Sequence, residues 1–313
     1  MNRGSHKSIF VSQQNCVGGV LPDFPKGWEK EQSKLENQLK LSVKKIVRHD
    51  VEVNNINHLE KLIKQGEYLK LAVEADQDLT WQSYVHNLPK GTMKFLLNAS
   101  INTLPTEDNL KLWNKTFSDK CHLCGNKDSC LHTLAGCPVA LRQGRYTWRH
   151  DNVINYIVNC ADKKFQTTSD IKGHKNIGGG TLDPTLVVTL ERPDIVISDK
   201  NAITVDILEL TVPHERNIEE RHNYKCDGYA WLLSDIVKMK PSLMCFEVGC
   251  KGFISKDNKE RLGSIYNKFC KKDIKNKSFL DNISAIASMS SRVIFNMRKE
   301  PTFPELGFIG APF

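Results

Sequence analysis

The sequence predicts an α/β protein in which a helical N-terminal region and a small Cys/His segment precede a domain with a mostly buried sheet. Three observations carry this. Leu, Lys and Glu recur at helical spacing from Trp28 to Val73 and again over 88–117. Four cysteines and two histidines crowd into "CHLCGNKDSCLHTLAGC", between Cys121 and Cys137. From Thr185 onward, short segments dense in Val, Ile and Leu surround one helical stretch, the pattern of a sheet covered by helices.

Residues 1–25 mix Gly, Pro and Ser with polar residues and are expected to be irregular. Region 26–118 is expected to be helical, with a break near Val51–Asn57. Within it, Thr106 can cap a helix whose first turn carries Glu107 and Asp108. Region 119–150 holds the Cys/His cluster and a basic-aromatic run. Region 151–313 opens on a helix at about 150–160 and a Gly-rich linker, "KGHKNIGGGTLDP". Strands are then expected at "TLVVTL", "PDIVISD", "AITVDILELTVP" and "SLMCFEVGCKGF", with "NIEERHNYKCDGYAWLLSDIVKM" helical before the last.

Composition is that of a globular chain, 40% hydrophobic and 26% charged, with a net charge of +8. The start "MNRGSHKSIF" has no apolar core or cleavage site, and no run of 18 apolar residues occurs, so no membrane partner is expected. Ten cysteines without a secretory signal point to a reducing compartment, where a tight Cys/His cluster is a metal site rather than a disulfide group. Between Lys251 and Lys277, nine Lys/Arg face three acids, which suits either a solvated helix face or a phosphate-contacting surface.

In the cluster, Cys121, Cys124, His132 and Cys137 follow C-x2-C-x7-H-x4-C. A C-x2-C knuckle offers two thiolates and the H-x4-C pair, about one turn apart, offers the rest of a tetrahedral Zn2+ shell. Cys130 is the second-ranked alternative to His132, and His122 is expected to face solvent. Four protein ligands leave no open position, so this zinc is expected to be structural. Arg142, Arg145, Tyr146, Trp148 and Arg149 follow, cations interleaved with rings, as suits phosphates and unpaired bases. A packed aromatic helix with surface arginines is the structural alternative.

In "ERPDIVISDKNAITVDILELTVPHE", Asp194 lies upstream of two acids, Asp206 and Glu209, with 11 and 14 residues between. Two acids on adjacent strands can share a divalent metal while a lysine steadies phosphate or water, the requirement of PD-(D/E)xK nucleases. Side chains alternate faces along a strand, so only one of Asp206 and Glu209 can join Asp194. The lysine position two residues on holds Leu208 or Thr211, so the residue pattern alone leaves the choice open, alongside an ordinary buried strand.

Taken in order, "LPKGTMKFLLNASINTLPTEDNLKLWNK", the C-x2-C-x7-H-x4-C cluster, "VALRQGRYTWRHDNVINYIV", "RPDIVI", "LELTVPHERNIEERHNYKCDGY" and "FEVGCKGF" resemble the C-terminal region of non-LTR retrotransposon reverse transcriptases carrying a restriction-like endonuclease. The resemblance covers about residues 88–255. It implies a CCHC zinc knuckle before a PD-(D/E)xK restriction-endonuclease-like domain. Arg192-Pro193-Asp194 matches the signature; Glu209 fits the family's spacing and Asp206 falls just short of it. The family's displaced lysine and its tyrosine map onto Lys225 and Tyr229, four apart and on one helix face. By resemblance, Asp194 and Glu209 would hold Mg2+, Lys225 would act on phosphate or water, and Tyr229 would support the site. The implied activity is a nick in target DNA whose 3′ end primes reverse transcription. DNA is then the expected partner, with the element's RNA as a second candidate, no small-molecule substrate, and a nuclear location.

Two features depart from the family. Asp227-Gly228 stands where the family tends to be helix-friendly and basic, and no Tyr/Phe-x-Asp-Asp polymerase stretch is found. Residues 26–87 would be a remnant of thumb or linker. The alternatives are a catalytically inactive DNA- or RNA-binding remnant and a zinc-stabilised adaptor between proteins.

Overall fold

The computed structural model describes residues 28–74, 85, 87–171, 181–199, 201, 203–236 and 238–313. The expected irregular segment 1–25 and most of the expected Gly-rich linker (172–180) lie outside the described residues. The chain forms two compact units, Met1–His58 and Leu59–Phe313.

Helix α1 (Trp28–Glu60) is continuous, so the expected break near Val51–Asn57 does not occur. No Gly or Pro stands in that stretch to interrupt it. The chain turns instead after Glu60, ending at Gly66, where an added Cβ would lie 2.2 Å from the Leu59 carbonyl oxygen. Helices α2 (Glu67–Glu74), α3 (Lys90–Ser100) and α4 (Glu107–Leu112) follow. Thr106 caps α4 as expected: its Oγ1 accepts from the Asn109 N–H at 3.4 Å.

After the Cys/His segment come α5 (Pro138–Arg142) and α6 (Arg145–Cys160). Four strands form one mixed sheet in the order β1 (Gln166–Ser169), β2 (Ile195–Asp199), β3 (Thr204–Thr211), β4 (Lys240–Glu247). The first two pairings are antiparallel and β3–β4 is parallel. The parallel pair requires a crossover, which α7 (Ile218–Ala230) and α8 (Leu232–Asp235) supply. Helices α9 (Lys256–Phe269) and α10 (Asn276–Asn296) complete the domain.

Alternation along β2 and β3 divides the sheet into two apolar faces. On one, Ile195, Ile197, Leu208, Leu210 and Phe246 pack against Val153 and Ile157 of α6, Leu262 and Ile265 of α9, and Phe279 and Ile283 of α10. Each such side chain contributes roughly 1.5–3 kcal/mol by leaving water. On the other, Val196, Val205 and Ile207 meet Leu232 of α8 and Ile236. The mixed α/β class is as the sequence predicts, but two elements differ. "TLVVTL" is not a strand: Val187 packs on the second face while Val188 and Leu190 are exposed. Strand β1, short and rich in Thr and Gln, has no apolar signal to reveal it.

The basic-aromatic run also differs from expectation. Of its five candidates for nucleic-acid contact, only Arg142 is exposed. Arg145 and Arg149 are each 1% exposed. Arg145 Nη2 donates to the Glu300 carbonyl at 2.7 Å. Arg149 donates to the carbonyls of Leu134 and Val212, at 2.7 and 2.8 Å, and to Ser291 Oγ at 3.1 Å. The Tyr146 hydroxyl meets the His132 and Thr133 carbonyls, and Trp148 Nε1 donates to the Gly307 carbonyl while its ring edges onto Phe303. An alternation of cations and rings reads alike on a surface and around buried carbonyls; here the carbonyls take the cations.

Replacing Arg149 with Met should lower unfolding free energy by about 3 kcal/mol, because buried carbonyls lose a charged donor. Arg142→Ala should change it by less than about 0.5 kcal/mol. Urea denaturation of both variants decides; equal midpoints would show that the Arg149 contacts carry no net stability.

Candidate functional site

Two clusters of chemistry-bearing side chains emerge. In the first, the Cys121–Gly125 turn closes through Gly125 N–H to the Cys121 carbonyl at 2.9 Å, with Gly125 at φ 74, a conformation that favours glycine. A π-helical turn, His132–Gly136, sets His132 and Cys137 one wide turn apart. Tyr146 braces it, its hydroxyl oxygen accepting from the Cys137 N–H at 3.1 Å. Asp128 joins the segment to α4 by accepting from the Glu107 N–H at 2.9 Å and from the Thr133 hydroxyl.

The ligand atoms of Cys121, Cys124, His132 and Cys137 all lie within 4.8 Å of one another. Cys121 and Cys137 sulfurs are 4.0 Å apart, and Cys124 Sγ is 3.2 Å from His132 Nε2. Tetrahedral zinc spaces such atoms about 3.5–3.8 Å apart, so the cluster could hold a metal such as zinc. Burial lowers the His132 pKa, which favours the neutral imidazole a metal needs. Burial also pushes the Cys121 thiol up to about 12. Cys130 is not part of the group; it is buried among Phe95, Leu104, Leu134 and Phe295. His122 points away, toward Glu107 Oε1 at 3.1 Å.

The second cluster lies on the sheet face that α7 covers. The register that pairs Ile195 with Leu208 brings Asp194 opposite Glu209, and the Asp194 N–H donates to Glu209 Oε1 at 3.1 Å. Lys225 of α7 reaches both carboxylates, 3.2 Å from Asp194 Oδ2 and 2.5 Å from Glu209 Oε2. Tyr229, one turn on, lies under the Lys225 ammonium at 5.4 Å, and its hydroxyl is 3.4 Å from the Arg192 carbonyl. Asp194, Glu209, Lys225 and Tyr229 thus converge.

Asp206 does not join them. It points to the opposite face, where Lys268 Nζ binds it at 2.6 Å and Ser242 donates to it. Parity along β3 explains this, since residues three apart face opposite ways. The basic stretch after Lys251 is likewise partly spent inside the fold. Lys251 is buried against Glu215 at 3.6 Å, and Arg261 lies 3.6 Å from Glu247.

His150 is the member the residue pattern missed. Its Nε2 is 3.3 Å from Asp194 Oδ2 and 3.2 Å from the Leu210 carbonyl oxygen, and its Nδ1 is 3.1 Å from Asp151 Oδ1. Its signal was present, as the "RHD" at the end of the basic-aromatic run, but only the fold carries α6 to β3. Burial alone would lower the His150 pKa; the Asp194 and Asp151 carboxylates outweigh it and raise the value to about 10. Burial alone would raise Asp194, but His150, Lys225 and the Leu210 N–H hold it well below the usual carboxylate range. Glu209 goes the other way: burial and the Asp194 charge raise it to about 8 despite Lys225. Two acids in near contact with their pKa values driven apart are frequent at functional centres.

No protein-family model matches the chain, and no curated protein sequence matches it significantly. Among the described residues no helix is long and apolar enough to cross a membrane.

Zinc uptake by metal-free protein should release protons, because the buried Cys121 thiol must ionise to bind. Calorimetric titration in two buffers of different ionisation enthalpy should give different apparent enthalpies, with affinity rising from about pH 6 to about pH 8. Cys124→Ser should weaken binding by at least about 10-fold. Buffer-independent heats, or unchanged affinity in the variant, would remove these four residues as the metal site.

Proposed function

We propose that the chain is a metal-dependent DNA endonuclease, the restriction-like endonuclease region of a non-LTR retrotransposon-derived protein, with a zinc knuckle beside it. The observation that carries this reading is Lys225, which comes from a separate helix to bridge two carboxylates on adjacent strands. The order of motifs from residue 88 to 255 supports it.

The donor set suits Mg2+. Asp194 and Glu209 supply two hard oxygens, and Mg2+ takes the rest of its shell from water and phosphate. Bound there, it would polarise a phosphoryl oxygen and lower the pKa of a water. Glu209, whose pKa burial and the Asp194 charge raise, would hold the cation as a carboxylate. Lys225 would serve the scissile phosphate or orient the attacking water. Tyr229 limits where the ammonium can go. The product, a nick with a free 3′ end, would prime reverse transcription, and the site of action would be nuclear.

Purified, zinc-loaded protein should nick supercoiled plasmid with Mg2+ and not with EDTA. Asp194→Ala and Glu209→Gln should each lower the rate at least about 100-fold without changing DNA binding. Folded wild-type protein that binds DNA and leaves it intact would overturn the endonuclease reading in favour of an inactive binding module.

A further inference from the structure

Asp194 Oδ2 is held from three elements at once. It accepts from the Leu210 N–H of β3 at 2.8 Å, from Lys225 of α7 at 3.2 Å, and lies 3.3 Å from His150 Nε2 of α6. Its Oδ1 has no such partner among the described residues, and the side chain keeps 11% of its surface exposed. The carboxylate is therefore clamped by one oxygen and open at the other.

His150 is itself fixed. Nε2 faces two oxygens, Asp194 Oδ2 and the Leu210 carbonyl, and Nδ1 faces the Asp151 carboxylate. Each nitrogen meets an acceptor, so each is placed to donate. The neighbouring Arg149, locked on two carbonyls and the Ser291 hydroxyl, leaves α6 little freedom to rotate the ring away.

Building on the endonuclease reading, we propose that His150 is a positioning residue that keeps Asp194 Oδ2 engaged, so that Oδ1 is the oxygen presented to the catalytic cation. Lys225 cannot do this alone. It bridges both carboxylates, and on the endonuclease reading it would have to leave them to serve phosphate or water. The Leu210 N–H fixes the distance to β3 but not the twist of the carboxyl plane; a second donor from another direction fixes that twist. Asp151 in turn sets the ring of His150. Outer partners of this kind orient ligating carboxylates and tune metal affinity.

The test measures cation binding apart from turnover. Mn2+ binding to zinc-loaded protein is followed by electron paramagnetic resonance, with and without plasmid, for wild type, His150→Phe and His150→Gln. The Gln amide can place a donor near the Nε2 position; Phe cannot. Phe should weaken Mn2+ binding about 10-fold and raise the Mg2+ needed for half-maximal nicking by a similar factor, with the rate at saturating metal nearly unchanged. Gln should recover most of the affinity. Thermal melts identify variants that fail to fold, and the Gln variant keeps the test decisive if Phe unfolds. Folded Phe and Gln variants that bind Mn2+ as wild type does, or a Gln variant as weak as Phe, would overturn the positioning role. Wild-type protein that binds no Mn2+ at a site abolished by Asp194→Ala would remove the endonuclease reading, and the role of His150 with it.

Discussion

One buried guanidinium ties the domain together. Arg149 reaches a carbonyl within the His132–Gly136 turn, the carbonyl just beyond β3, and a serine of α10. The Cys/His segment, the sheet and the longest helix of the domain therefore share one charged group. A buried charge of this kind is strongly unfavourable unless every donor it points inward is used, and most of these are. Its neighbours on α6 extend the arrangement. Arg145 collects carbonyls of the C-terminal segment, and His150 lies against Asp194. The same helix thus holds the Cys/His segment against the sheet and brings a histidine to the carboxylates.

The carboxylate site crowds charged groups together. Two acids sit beside one ammonium and one histidine in a place mostly closed to water, where unpaired charges would be costly. The two acids respond differently. Asp194, with three donors on one oxygen, stays ionised, whereas Glu209, deeper and beside it, resists ionisation. The Cys/His cluster differs: its four side chains close on one another, and its cysteines pack with Ala140, Leu123, Val139 and Tyr146.

Features governed by near neighbours were readable in advance. The Thr106 cap, the ligand spacing from Cys121 to Cys137 and the strands β2, β3 and β4 follow from residues a few positions apart. Segments whose identity depends on what covers them were not. "TLVVTL" has strand composition, yet Val188 and Leu190 are left exposed while Val187 packs on the sheet, and β1 pairs with β2 without an apolar face of its own. The run from Arg142 to Arg149 carries the charge and rings of a nucleic-acid surface, but composition cannot say whether a guanidinium faces phosphate or a buried carbonyl.

The sequence by itself determined the Cys/His set that comes together, the mixed α/β class and the rule that Asp206 and Glu209 must part, because each rests on spacing along a helix turn, a knuckle or a strand. The residue pattern left Glu209 and Asp206 open and the family resemblance favoured Glu209; the tertiary structure sets Glu209 beside Asp194 and gives Asp206 to Lys268 on the far face. It also brought Lys225 and His150 to the carboxylates from two different helices. These are contacts between distant parts of the chain, set by how helices seat on a sheet, and no local period encodes them.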